Sequence, residues 1–147
     1  MSLRLVTAEM RLSTAIARTT LCVLGPSGSG KTSLMKALPG HDTLCLDFEA
    51  GLMSVQDWDG DSIPIRSFED ARDIACLIGG VNPAADPNGY YSEGHHSHVA
   101  RSYPDLAELV AAKRYIFVDS ITDLSRQAMA WSKQQPEAYS DRTGKPD

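Results

Sequence analysis

Basic charge is scarce in this sequence: 14 lysines and arginines stand against 19 acids, a formal net charge of -5 over 147 residues. Overall charge therefore gives no sign of a nucleic-acid partner, although a local basic surface on an acidic chain can still bind one. Cysteine is scarcer still. Cys22, Cys45 and Cys76 lie far apart, each inside an apolar run, which excludes a disulfide frame or metal set and reads as three buried thiols in a reducing cytoplasm. Long apolar runs are also lacking. The first twenty residues carry Arg4, Arg11 and Arg18 with one acid, Glu9, and hold no uninterrupted stretch fit for a signal peptide or a membrane span. No membrane partner is expected. A mitochondrial presequence competes for that segment, but a local helix or irregular lead-in to the first strand is preferred.

What remains is 42% hydrophobic and 22% charged, an ordinary soluble composition. The length suits one domain, residues 1–147, with a core of its own. Leu21-Cys22-Val23-Leu24 predicts a strand buried on both faces of a parallel sheet. Residues 32–38 predict a short helix stopped by Pro39-Gly40. Residues 43–48 predict a second buried strand that delivers Asp47 and Glu49 at its carboxyl end. Residues 62–65 form a weaker third, which Pro64 assigns to an edge. Ser67 caps a helix whose buried face is expected to be Phe68, Ala71, Ile74, Ala75 and Ile78, ended by Gly79-Gly80. Residues 81–103 show no sustained periodicity and predict a long loop. Pro104 opens a helix through Ala112, residues 115–118 give a strand ending in Asp119, and a last helix spans residues 121–135 before Pro136. Strands alternating with helices predict an α/β three-layer sandwich with a mainly parallel sheet, whose ligands bind at the carboxyl ends of the strands.

Gly25-Pro26-Ser27-Gly28-Ser29-Gly30-Lys31-Thr32 satisfies G-x-x-x-x-G-K-[ST], with Ser33 following, in an expected strand-loop-helix context. Each part has a physical reason. Glycines let backbone N–H groups turn inward as an anion nest, a helix beginning near Gly30 adds its positive end, and Lys31 places a point charge on the β- and γ-phosphates. Thr32 offers a hydroxyl to magnesium. ATP with magnesium is the expected ligand pair.

Asp119 ends its strand as a Walker B aspartate does, holding magnesium directly or through water; a strand-end carboxylate also serves as a helix cap. Many ATPases place a glutamate directly after that aspartate to orient water, and this chain has Ser120 there. Glu49 is the substitute, a carboxylate at the edge of a nearby strand where a general base must be. Residues two apart share a face of a regular strand, so the period cannot separate Asp47 from Glu49, and the choice rests on Glu49 being more distal. The catalytic candidates are therefore Lys31, Glu49 and Asp119.

Other patterns fall away. His95, His96 and His98 have no cysteine or acid pair at ligand spacing beside them and read as a solvated loop. Asp57-Trp58-Asp59-Gly60-Asp61 lacks the calcium-loop glutamate. Tyr90, Tyr91 and Trp131 are candidates for stacking on bases, though such aromatics more often pack. Arg126 and Arg142 are arginine-finger candidates only by lying late in the chain.

With Asp47-Phe48-Glu49-Ala50-Gly51-Leu52 and Phe117-Val118-Asp119-Ser120-Ile121 beside the phosphate loop, the chain resembles the RecA-like P-loop ATPases. Residues 75–80, 82–84, 135–140 and 143–147 look more specifically like phage and prophage AAA-type ATP-binding proteins related to single-strand-annealing recombinases. The resemblance implies ATP binding by Gly25 to Ser33, magnesium at Thr32 and Asp119, water activation by Glu49, and phage-type DNA recombination with single-stranded DNA and a homo-oligomer as partners.

RecA-like folds insert a further strand between the phosphate-loop strand and the Walker B strand, and nothing after Asp119 reads as one. Its absence would leave a gap of roughly 10 Å between unpaired edges, so the sequence is expected to stop short of a whole RecA-like core. Two competing readings follow: a small P-loop kinase, with direct pairing of those two strands and residues 81–103 as an acceptor lid, and a nucleotide-binding fragment that does not turn over.

Overall fold

A computed structural model of the chain describes residues 19–135. It divides into two compact units at the Lys31–Thr32 peptide. The expectations placed on residues 1–18 and 136–147, including the lead-in helix, the stop at Pro136 and Arg142, lie outside the described residues.

In the first unit, residues 21–24 are not a strand, and Leu21 and Leu24 are 80% and 87% exposed. A four-residue apolar run becomes a strand only where a neighbouring edge takes its hydrogen bonds and a surface takes its side chains. Hydropathy supplies neither. Cys22 is exposed as well, which corrects the expectation of three buried thiols; Cys45 and Cys76 are buried.

The second unit opens with a short helix where one is expected over residues 32–38; it is a 3-10 helix, Thr32–Ala37, and Met35 is its buried side chain. Strand β1, Thr43–Asp47, is buried along its whole length and is the central strand of a three-stranded sheet. Strands β2, Asp61–Pro64, and β3, Tyr115–Asp119, flank it, both parallel, in the order β2-β1-β3. Asp47 is in register with Pro64 on one side and Asp119 on the other, so the three carboxyl ends are level. Pro64 lies at the end of an edge strand, where a missing N–H costs least. Slot and ladder, the two arrangements foreseen for residues 21–24, both presuppose a strand there, and the sheet does not include that segment.

Strand alternation divides the core in two. Leu44, Leu46 and Phe48 join Ile65, Ala71, Ile74 and Val110 on one face, while Cys45 joins Met35, Val55, Trp58 and Phe117 on the other. Helix α1, Phe68–Gly79, begins where the Ser67 hydroxyl accepts from Asp70 N–H at 3.1 Å. Its packed stripe is Ala71, Ile74 and Leu77; Ala75 and Ile78 are exposed and leave the expected face. Phe68 stacks instead on Trp131, ring centroids 5.0 Å apart, which gives Trp131 a packing role.

Residues 81–103 are not all loop. Helix α2, Glu93–Ser102, occupies the second half, capped by Ser92 through the His95 N–H at 3.2 Å. Its buried residue is Val99, and one apolar anchor makes no periodic stripe. Helix α3, Pro104–Ala112, starts at its proline as expected, and α4, Ile121–Ser132, ends a turn before residue 135.

Burial, with the Asp119 and Asp47 carboxylates adding to it, pushes the Cys45 thiol up to about 12, and burial raises Cys76 too. Thiol labelling of the folded chain at about pH 8 is expected to modify the exposed Cys22. Cys45 and Cys76 should react only on unfolding. Fast labelling of all three contradicts this core.

Candidate functional site

The phosphate-loop sequence forms a tight turn in the first unit, closed by Ser29 N–H donating to Pro26 O at 3.3 Å. Gly28 and Gly30 have φ of 75° and 84°, the left-handed region where a Cβ costs about 1–2 kcal/mol. Their place in the motif is thus a backbone requirement. The Lys31 ammonium folds over the turn and donates to Gly25 O at 3.0 Å and Pro26 O at 2.8 Å. The 3-10 helix of the second unit begins at Thr32 and not near Gly30, and its six residues align fewer peptide dipoles than an α-helix of ordinary length. Ser33 is exposed.

In the second unit, the two expected magnesium residues meet. Thr32 Oγ1 donates to Asp119 Oδ2 at 2.8 Å, and Asp119 is 4% exposed. The Asp119 carbonyl accepts from Phe48 N–H at 2.6 Å and Glu49 N–H at 3.2 Å. The last turn of β1 is thereby stitched to the last residue of β3. The Asp119–Ser120 peptide is cis. Ser120 Oγ donates to Asp123 Oδ2 at 2.9 Å and so holds the Asp123 carboxyl below the usual range. That hydroxyl serves the start of α4.

The structure separates Asp47 from Glu49. Asp47 is buried: its Oδ2 accepts from Arg66 Nη2 at 3.1 Å and its Oδ1 from Ala50 N–H at 2.8 Å. Ala50 takes φ 59°, so the chain leaves the strand at Phe48 and the two-residue period ends there. Glu49 is exposed and, among the described residues, its carboxylate has no hydrogen bond or ion pair. A Cβ added at Gly51 would lie 3.9 Å from both Asp119 Oδ2 and Glu49 Cγ. Glu49 and Asp119 therefore flank one small gap, while Asp47 is engaged elsewhere.

Arg66 and Gly51 were not legible as site residues. Arg66 lies two positions past Pro64, the register partner of Asp47, and it is the β1–β2 pairing that brings its side chain within reach of Asp47. No sequence spacing announces that. The other candidates pack: His95 Nε2 lies 3.3 Å from Asp73 Oδ1 and its Nδ1 accepts from Tyr91 N–H at 3.0 Å, Arg72 covers the Tyr90 ring at 4.1 Å, and Arg126 pairs with Asp123 at 2.8 Å.

The first unit thus holds a glycine turn with its lysine folded over it, and the second a threonine hydroxyl on a buried strand-end aspartate. A family model described as AAA domain matches residues 17–147. The chain belongs to the AAA domain family. Comparison with curated proteins and with solved structures found no match. As a member of this P-loop ATPase family, the AAA domain carries an α/β fold with a three-stranded parallel sheet. Its donor set suits magnesium: a hydroxyl and a carboxylate are hard oxygen ligands, and magnesium is held by one or two carboxylates together with substrate phosphates. Among the described residues no group of three His, Cys, Asp or Glu side chains converges on one point. No described helix is long and apolar enough to cross a membrane.

Proposed function

We propose that the chain is a cytoplasmic, magnesium-dependent ATPase of the RecA-like kind. Gly25, Pro26, Ser27, Gly28, Ser29, Gly30, Lys31, Thr32 and Ser33 hold the triphosphate, Thr32 and Asp119 hold magnesium, and Glu49 activates water. The observation that carries the reading is the Thr32–Asp119 contact at 2.8 Å with Glu49 tied to the same aspartate through its backbone. Magnesium, when bound, neutralises charge on the β- and γ-phosphate oxygens.

The rest is this chain's own work. Lys31 follows the γ-phosphate as negative charge shifts onto the β,γ-bridging oxygen. Glu49 takes one proton from a water whose oxygen bonds to the γ-phosphorus, while the bond to the bridging oxygen breaks and ADP leaves with the electron pair. Asp47, already holding a guanidinium and an amide, is not placed to serve as that base.

The resemblance to phage ATP-binding proteins supports DNA recombination as the setting, with single-stranded DNA and further copies of the chain as partners. In the segment that the kinase reading takes as an acceptor lid, residues 93–102 form α2 with Val99 buried. The test is steady-state phosphate release from ATP, with and without magnesium and single-stranded DNA. Magnesium-dependent release stimulated by DNA supports the proposal. Binding without release would leave a nucleotide-binding module, and transfer to an acceptor would leave a kinase.

Thr32→Val keeps the side-chain shape and removes the hydroxyl. A hydrogen bond to a charged group is worth about 1.5–3 kcal/mol, so the magnesium concentration for half-maximal rate is expected to rise roughly tenfold or more. An unchanged magnesium requirement removes Thr32 from the metal site.

A further inference from the structure

We infer that Arg66 and Asp47 are positioning residues that hold Glu49 at the reacting end of the site; the inference rests on the reading of Glu49 as the base. The backbone around Glu49 is fixed on both sides. Phe48 N–H and Glu49 N–H donate to the Asp119 carbonyl on the amino side. On the carboxyl side Ala50 N–H donates to Asp47 Oδ1 at 2.8 Å, which closes a turn through the left-handed Ala50. That second tie is only as firm as the Asp47 rotamer. Arg66 sets the rotamer, with Nη2 on Asp47 Oδ2 at 3.1 Å and Nη1 on the carbonyls of Asp47 at 2.5 Å and Ile65 at 3.0 Å.

A guanidinium is a planar fork whose donors arrive in fixed directions, so it orients a carboxylate where an ammonium would merely attract it. The Asp47 side chain is 8% exposed and that of Arg66 is 49% exposed. The pair thus reaches from the sheet interior to the surface beside the Glu49 turn. Gln127 of α4 reinforces the arrangement by donating to Ile65 O at 3.3 Å. A purely structural ion pair, compensating a buried carboxylate, is the rival explanation.

A double-mutant cycle on the full chain separates the two. Arg66→Ala and Arg66→Lys are each made alone and with Glu49→Gln, and kcat, KM for ATP, nucleotide affinity and thermal midpoint are measured. Misplacing a reacting group by about 1 Å costs up to roughly a hundredfold. Arg66→Ala is therefore expected to lower kcat at least about tenfold with ATP affinity within about twofold of wild type, and Arg66→Lys to recover only part of it. In the Glu49→Gln background the Arg66 effect on kcat should vanish. An effect on kcat of the same size in both backgrounds overturns the inference, as does a loss confined to thermal midpoint or KM. If Arg66→Ala does not fold, Asp47→Asn, which keeps an acceptor for Ala50 N–H, enters the same cycle with the same outcomes. A Glu49→Gln variant as fast as wild type strikes the base assignment itself, and that result is read from the single variant alone.

Discussion

Replacing Lys31 with alanine is expected to abolish detectable nucleotide binding and turnover while leaving the fold intact. The ammonium donates to the carbonyls of Gly25 and Pro26 within its own turn and belongs to neither apolar cluster. Its removal therefore takes nothing from the core. Contacts from a cation to phosphate oxygens are charge-assisted, each worth about 1.5–3 kcal/mol, and losing two of them weakens binding by roughly two to four orders of magnitude. Titration with a fluorescent ATP analogue reads the affinity, and circular dichroism with a thermal melt reads the fold. Unchanged ATP affinity and rate would remove the phosphate-loop assignment, whereas a collapsed melt would show Lys31 to be structural.

The second large effect is expected at Glu49. Glu49→Gln should keep ATP and magnesium bound and slow hydrolysis by roughly a hundredfold or more, the usual scale for losing a general base. The side chain is exposed and the turn is held through backbone groups, so glutamine fits the same place without a proton-accepting carboxylate. Single-turnover phosphate release separates the chemical step from binding. Full slowing by Asp47→Asn with no effect at Glu49 would reverse the assignment. Gly51→Leu gives a second view of the same gap, since its side chain would enter the space that Glu49 and Asp119 flank. It should slow hydrolysis without lowering the melting temperature.

Where the sequence carried both an apolar pattern and a punctuating residue, the elements were legible. β1 and β3 are continuous apolar runs ending in aspartate, Pro64 marked β2 as an edge, and Ser67 marked the start of α1. Residues 21–24 carried only the pattern, and a pattern does not form a ladder without a partner edge. Helix α2 carried only the cap, Ser92, because a single buried Val99 leaves no stripe to find. The site divides along the same line. Thr32 and Asp119 were legible because motif and strand end are local features, and their contact is observed. Asp47 and Glu49 could not be told apart from the period of two; past a left-handed Ala50 they differ in surroundings, Asp47 held by Arg66 and Ala50 N–H and Glu49 exposed, and backbone conformation at an alanine has no sequence signal. Arg66 reaches Asp47 through the β1–β2 register, a long-range relation that spacing along the chain does not encode.

Equilibrium binding of ATP to the wild-type chain, with and without magnesium, tests the central claim most directly. Saturable one-to-one binding that magnesium tightens, and that inorganic triphosphate competes away, is the predicted result. Absence of saturable binding for ATP and every other nucleoside triphosphate, in a protein whose melt shows it folded, would contradict it.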